Sequence, residues 1–258
     1  MLEAVVAGLF GLLIGSFLNV CIYRLPRDLS VVRPRSFCPS CEQTIAWYDN
    51  IPVLTYLALG GKCRRCGARI PWRYPVVELL TGALFFAAVL ELGPNAAGYK
   101  LCVFAAIQVA LIFTDIEERI LPDEFTLGGL VIGLGFSAIV FLPGFVMSLL
   151  FPDASPRRIS VYESVLAALV VSGMLYLLAV AYGRLRRMEV LGLGDVKMMA
   201  MIGAFLGLQR TLFTLVAASI AGSVVGLAYI LLARKDWRQY PLPFGAFIGA
   251  AALYTAYT

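Results

Sequence analysis

The 258-residue chain contains no histidine. That absence removes Ser-His-Asp and Cys-His catalysis, HExxH zinc sites and imidazole metal ligands, and leaves any acid–base chemistry to carboxylates, Cys, Tyr or Lys. Charge is also scarce. Only 14% of residues are charged, against roughly a quarter in soluble globular domains. No G-x-G-x-x-G fingerprint follows a strand-like segment, so the sequence offers no dinucleotide or nucleoside-cofactor signature. Nor do the apolar stretches alternate over segments of about ten residues, which speaks against a membrane β-barrel.

What the chain has instead is apolar length. Hydrophobic residues make up 60% of it, and the mean hydropathy is +0.85. Continuous apolar runs fall near 4–23, 74–92, 99–114, 125–143, 161–182, 196–209, 211–233 and 242–257. A span needs about 20 such residues. The expectation is an all-α integral membrane protein with about eight transmembrane helices, embedded in a lipid bilayer, the sixth being short. The first run has no basic n-region and no small-residue cleavage site after it, and reads as a retained helix. With the 24–73 segment placed in the cytoplasm, eight crossings leave only Lys100, Arg157, Arg158 and Arg210 outside. Every other Lys and Arg then lies inside, including Arg184, Arg186, Arg187, Arg234, Lys235 and Arg238. The expected divisions are a first helix (1–23), a cytoplasmic loop domain (24–73) and a transmembrane domain (74–258). GxxxG spacings at Gly11/Gly15, Gly222/Gly226 and Gly245/Gly249 are candidate close helix contacts.

The loop domain contains "CPSCEQTIAWYDNIPVLTYLALGGKCRRCG", with Cys38, Cys41, Cys63 and Cys66 in two CxxC pairs. Four thiolates so spaced form the all-cysteine pattern of structural zinc. The alternative is two disulfides, which a reducing compartment disfavours. Lys62, Arg64, Arg65 and Arg69 offset the negative charge of such a site. Its place between two spans favours a structural role, with no nucleic-acid partner expected. Cys21 and Cys102 lie in apolar runs and read as packing residues.

Two acids stand at one predicted face. Asp115 closes the third run in "FTDIEERILPDEF", and Asp195 opens the sixth in "GLGDVK". A carboxylate at the edge of hydrocarbon is costly and marks function. Asp195 also has a plainer reading as a helix cap, whereas Asp115 sits at a C-terminus, where an acid gains nothing. Asp123 and Glu124 after Pro122 read as an ordinary helix start, with Asp123 as cap. Two aspartates held close share a proton: one activates water and the other polarises a carbonyl, which is aspartic peptide hydrolysis without histidine. The glycines of "GLGD" give an extended substrate room to approach. Glu117, Glu118, Asp123 and Glu124 form an acidic surface suited to a basic peptide, or else solvated helix ends.

With "GSFLNVCIYRLP", the tetracysteine loop, "TDIEERILPD" and "GLGDVKMMAMIGAFLG" in this order, the chain resembles the type IV prepilin peptidases, membrane aspartic proteases of the GxGD class, along nearly its full length. The resemblance implies prepilin and pseudopilin substrates of type IV pilus or type II secretion systems. It implies cleavage after a glycine that ends a basic leader, at the cytoplasmic face of a bacterial inner membrane. Asp115 and Asp195 match the family's catalytic pair. It further implies N-methylation of the new amino terminus with S-adenosylmethionine as donor. The stretch "PGFVMSLLFPDASPRRISVYE" is longer than the family pattern and reads as a surface-lying segment. A transporter, or an assembly protein with a structural zinc loop, are the readings the acids compete with.

Overall fold

The computed structural model describes residues 1–186, 192–233 and 242–258. The described residues are helical apart from turns and two isolated β-bridges. They divide into two compact units, Met1–Ala110 and Leu111–Thr258.

The first unit holds α1 (Leu2–Arg24), the short α2 (Leu54–Ala58), α3 (Arg73–Leu92) and the beginning of α4 (Ala96–Glu118). α1 lies directly on α3. A Cβ on Gly15 would sit 2.7 Å from Glu78 Cα, and one on Gly11 would sit 2.8 Å from the Thr81 carbonyl oxygen. The Gly11/Gly15 spacing is therefore a true backbone-to-backbone contact. Near the end of α1, Asn19 Nδ2 donates to the Tyr74 carbonyl at 3.0 Å. Arg24 is buried, and its guanidinium donates to the Ser30 carbonyl at 2.9 Å, turning the chain into the cysteine loop. Cys21 and Cys102 are buried packing residues, as expected.

The second unit holds the end of α4, then α5 (Asp123–Ser137), α6 (Phe145–Leu150), α7 (Pro156–Arg186), α8 (Leu193–Leu206), α9 (Leu208–Ala233) and α10 (Phe244–Tyr257). α8 is its axis, packed against α5, α7, α9 and α10. Met198, Met199, Met201, Ile202 and Phe205 are fully buried. Gly203 lets α7 approach, since a Cβ there would lie 2.7 Å from the Ala168 nitrogen. Gly207 ends α8 at φ +78°, and α9 starts at the next residue. The buried Glu163 of α7 caps that start: its Oε1 accepts from the Leu208 N–H at 3.0 Å.

Each of the eight apolar runs falls on a helix. Five of these helices, α1, α3, α4, α7 and α9, are long and apolar enough to cross a membrane. α5, α8 and α10 have 15, 14 and 14 residues, about 21–23 Å at 1.5 Å per residue, short of a hydrocarbon core of about 30 Å. The 196–209 run is cut by Gly207, and the 125–143 run leaves its helix at Ser137. Arg187, Arg234, Lys235 and Arg238 of the orientation reading lie outside the described residues. After α5 the six-residue α6 is followed by Phe151, with Leu149, Leu150 and Phe151 exposed, consistent with a surface-lying segment.

Candidate active site and metal centre

α4 continues one turn past Asp115 and stops before Arg119, which adopts φ +58°. Asp115 is buried, and its Oδ2 accepts from the Ala246 N–H at 2.8 Å. α10 begins at Phe244, so this N–H belongs to the first turn and has no partner within its own helix. The Gly245 N–H is directed at the same carboxylate. An acid that gains nothing from its own helix is thus received by the positive end of another. Gly245 leaves the space for it: a Cβ there would stand 3.1 Å from Asp115 Cγ, from Oδ2 and from Leu121 Cδ1 alike.

Asp195 occupies the first turn of α8, three residues after the N-cap Gly192. Its carboxylate turns back toward the Gly192 N–H, half of a capping box. The cap reading of Asp195 and the active-site reading thus describe one geometry. A glycine beside each acid abuts Leu121. A Cβ on Gly194 would lie 3.1 Å from Leu121 Cβ, while Leu121 Cδ1 faces Gly245. The carboxylates are within electrostatic range of one another. The glycines of "GLGD" divide their duties: Gly194 makes room for Leu121, and Gly192 is exposed, where a Cβ would lie 3.7 Å from Asp195 Oδ2.

Asp123 does not cap α5 as expected. The N-cap is Pro122, and Asp123 instead accepts from Lys197 Nζ at 2.7 and 2.9 Å. This pair links the starts of α5 and α8, and it engages one of the acids proposed to greet a basic peptide. Glu117 is exposed and Glu118 half-buried. The N-terminus of α10 was not anticipated as part of the site. Its signal was Pro243 followed by a glycine one position into an apolar run, the ordinary mark of a helix start.

In the first unit, Cys38, Cys41, Cys63 and Cys66 place their four Sγ atoms within 4.8 Å of one another and could hold a metal ion. None is disulfide-bonded. Cys38 Sγ and Cys66 Sγ are 3.8 Å apart, close to the ~3.8 Å edge of a tetrahedron with metal–sulfur bonds of about 2.3 Å. The two knuckles are copies. Cys38 N–H donates to Gln43 O and Cys63 N–H to Ala68 O; Ile45 N–H donates to Ser36 O and Ile70 N–H to Gly61 O. Single bridges join Phe37 to Thr44 and Lys62 to Arg69. The residue after each second cysteine, Glu42 or Gly67, has a positive φ of 56° or 70°. Backbone N–H groups of Cys66 and Arg65 lower the Cys63 thiol to about 6.

Residues 9–92 match the bacterial peptidase A24 N-terminal domain, and residues 102–227 match the type IV leader peptidase family. The chain is 38% identical over 231 residues to the prepilin leader peptidase/N-methyltransferase of Myxococcus xanthus, covering 89% of this chain and 64% of that protein. With the relative of the same description from Aeromonas hydrophila it shares 36% identity over 267 residues, 94% of this chain and 86% of the relative. The corresponding Bacillus subtilis protein is 33% identical over 250 residues, 95% and 90% of the two chains. No solved structure gives a significant match. Coverage of nearly all of this chain by two consecutive domains of one enzyme class, at this level of identity, has a single consequence: the chain belongs to the type IV leader peptidase family.

Proposed function

We propose that the protein is a membrane aspartic endopeptidase that removes the basic leader from type IV prepilins and pseudopilins, cutting after a glycine at the cytoplasmic face of the bacterial inner membrane. Asp115 and Asp195 are its reacting pair. The observation that carries the proposal is the electrostatic proximity of the two carboxylates, 80 positions apart in the sequence, with Leu121 between Gly194 beside Asp195 and Gly245 beside Asp115. One carboxylate takes a proton from water as the oxygen attacks the scissile carbonyl; the other donates to the carbonyl oxygen, and the amine leaves with a proton. The α10 N–H donors hold Asp115 in place, and the open border at Gly192 admits an extended peptide to Asp195. Eight crossings, with α5, α8 and α10 as shorter transmembrane elements, put both acids at one face.

The tetracysteine site fits zinc: four cysteine sulfurs lie within 4.8 Å of one another, one pair at the 3.8 Å edge length of a tetrahedron. When bound, the ion supplies a crosslink to a loop with little core of its own. N-methylation of the trimmed amino terminus, with S-adenosylmethionine as donor, is proposed from the relatives' names. The cavity bordered by Arg24, Arg35 and Asn50 holds about 220 Å³, below the roughly 300–1,000 Å³ of sites that enclose such ligands. It is too small to enclose the donor.

The test is Asp115→Asn and Asp195→Asn in protein reconstituted with a prepilin. An amide oxygen still accepts from Ala246, so folding is retained, while leader removal falls at least about 10³-fold. Processing at the native rate by either variant overturns the assignment.

A further inference from the structure

Within the cysteine loop, α2 is turned inside out. Thr55 is buried, its hydroxyl donating to the Tyr48 carbonyl at 3.0 Å, and Pro52 is buried beside it. Leu54 and Leu57, one helical turn apart, are 66% and 68% exposed. Trp47 and Trp72, at 74% and 70%, and Ile51 are exposed with them. A loop bathed in water does not present two tryptophans, two leucines and an isoleucine outward while covering a threonine.

The depth of this segment supplies the reason. Val53, immediately before α2, donates its N–H to Glu78 Oε2 at 2.8 Å. Glu78 is the sixth residue of α3, about 7.5 Å along the helix from Arg73 at 1.5 Å per residue. At that level α3 is already packed on α1 at Gly15. α2 therefore starts beside the first turns of α3, since a glutamate side chain leans back toward its helix N-terminus. Val53 is held at φ 61°, ψ −51°, which a β-branched residue adopts only when its surroundings impose it. The buried Glu78 carboxylate imposes it here. Charge completes the pattern: besides the buried Arg24 and Arg73 and the Arg64–Asp49 pair, the 24–73 segment exposes Arg27, Arg33, Arg35, Lys62, Arg65 and Arg69 against Asp28 and Glu42.

We propose that Trp47–Leu57 and Trp72 form a wedge seated at the headgroup–acyl boundary of the leaflet that receives the end of α1 and the start of α3, with the loop's basic residues on anionic phospholipid headgroups. Tryptophan is at home in that layer, and Lys and Arg beside an apolar face bind anionic lipid. The wedge fixes the height of the cysteine knuckles above the bilayer. The proposal depends on α1 and α3 being spans and is independent of the peptidase reading.

The test uses the full-length protein with Trp72→Phe and Trp237→Phe, leaving Trp47 as the sole tryptophan, in nanodiscs of phosphatidylcholine with and without phosphatidylglycerol. Lipids brominated near the headgroup should quench Trp47 emission at least about twofold, more so with phosphatidylglycerol, while aqueous acrylamide quenches it little. Adding Leu54→Glu and Leu57→Glu should abolish the bromine effect with bound metal unchanged. Strong acrylamide quenching without bromine quenching overturns the proposal. Insensitivity to both quenchers also overturns it, because the face is then covered by protein, from a second copy or elsewhere. Bromine quenching indifferent to phosphatidylglycerol refutes the headgroup part.

Discussion

Gly245→Ala is the most searching perturbation of the proposed pair, because it touches Asp115 without changing its chemistry. The new Cβ would meet Asp115 Cγ, Asp115 Oδ2 and Leu121 Cδ1, each at 3.1 Å, where ordinary contacts begin at 3.4 Å. Leu121 also backs Gly194, and Oδ2 is tied to Ala246, so the carboxylate must give by a few tenths of an ångström. A misplacement of 1 Å costs on the order of 10²-fold in rate, so this one should lower kcat by about 5- to 50-fold, or roughly 1–2 kcal/mol of activation free energy. Stability should change little, since alanine in a helix gains up to about 1 kcal/mol over glycine and the local strain offsets it. The assay is the initial rate of leader removal by purified protein in lipid, with kcat and KM separated and the melting temperature measured alongside. Gly128→Ala is the control: nothing lies within 4 Å of its Cβ position, and activity should be native. Native kcat in Gly245→Ala would falsify the role given to Asp115. Equal impairment of both variants would show that the effect is not local to the site.

Glu163→Ala should destabilise the protein by about 1–3 kcal/mol, because the Leu208 N–H loses its buried acceptor; Glu163→Gln, which keeps an acceptor, should cost clearly less in thermal unfolding. Elemental analysis should find about one zinc per chain, lost in Cys38→Ser and after strong chelation, with Cys21→Ser retaining it. In the loop, the Arg64 guanidinium hydrogen-bonded to Asp49 holds that carboxyl below its usual range. The stability this pair contributes is fully present above the ordinary Asp value near 4 and is lost as pH falls through the depressed one. Arg64→Ala should therefore flatten the acid limb of loop stability, read by proteolysis between about pH 3 and 6.

Helix existence was readable because apolar length is a one-dimensional property. The two candidate acids stood out because charge at the end of an apolar run is rare, and the structure brings their carboxylates within electrostatic range. Boundaries were not: nothing in the composition of 196–209 says that Gly207 turns the chain through a positive φ and splits the run. Partner choice was also hidden. Asp123 has every local feature of a helix start, yet Lys197, distant in sequence, determines where its carboxylate goes. Gly245 and Ala246 looked like the start of one more apolar helix, since their contribution is made by backbone N–H groups, which carry no residue identity. Glu78 and Glu163 are single acids in apolar surroundings, and only the packing shows that each receives an N–H from a neighbouring segment.

The duplicated knuckles have a consequence for how the loop matures. Residues 36–45 and 61–70 repeat one hydrogen-bond template, and each copy presents two of the four sulfurs. Neither copy closes a coordination shell alone, so a nascent chain that has exposed only Cys38 and Cys41 can grip an ion weakly at best. An ion held by all four sulfurs would therefore be captured cooperatively, only once Cys63 and Cys66 have emerged, and would close the intervening 46–60 stretch into an arc of fixed span. The arc itself contributes no ligand, so its sequence answers to the contacts of residues 47–57 and to the Val53–Glu78 hydrogen bond, not to the clasp at its base.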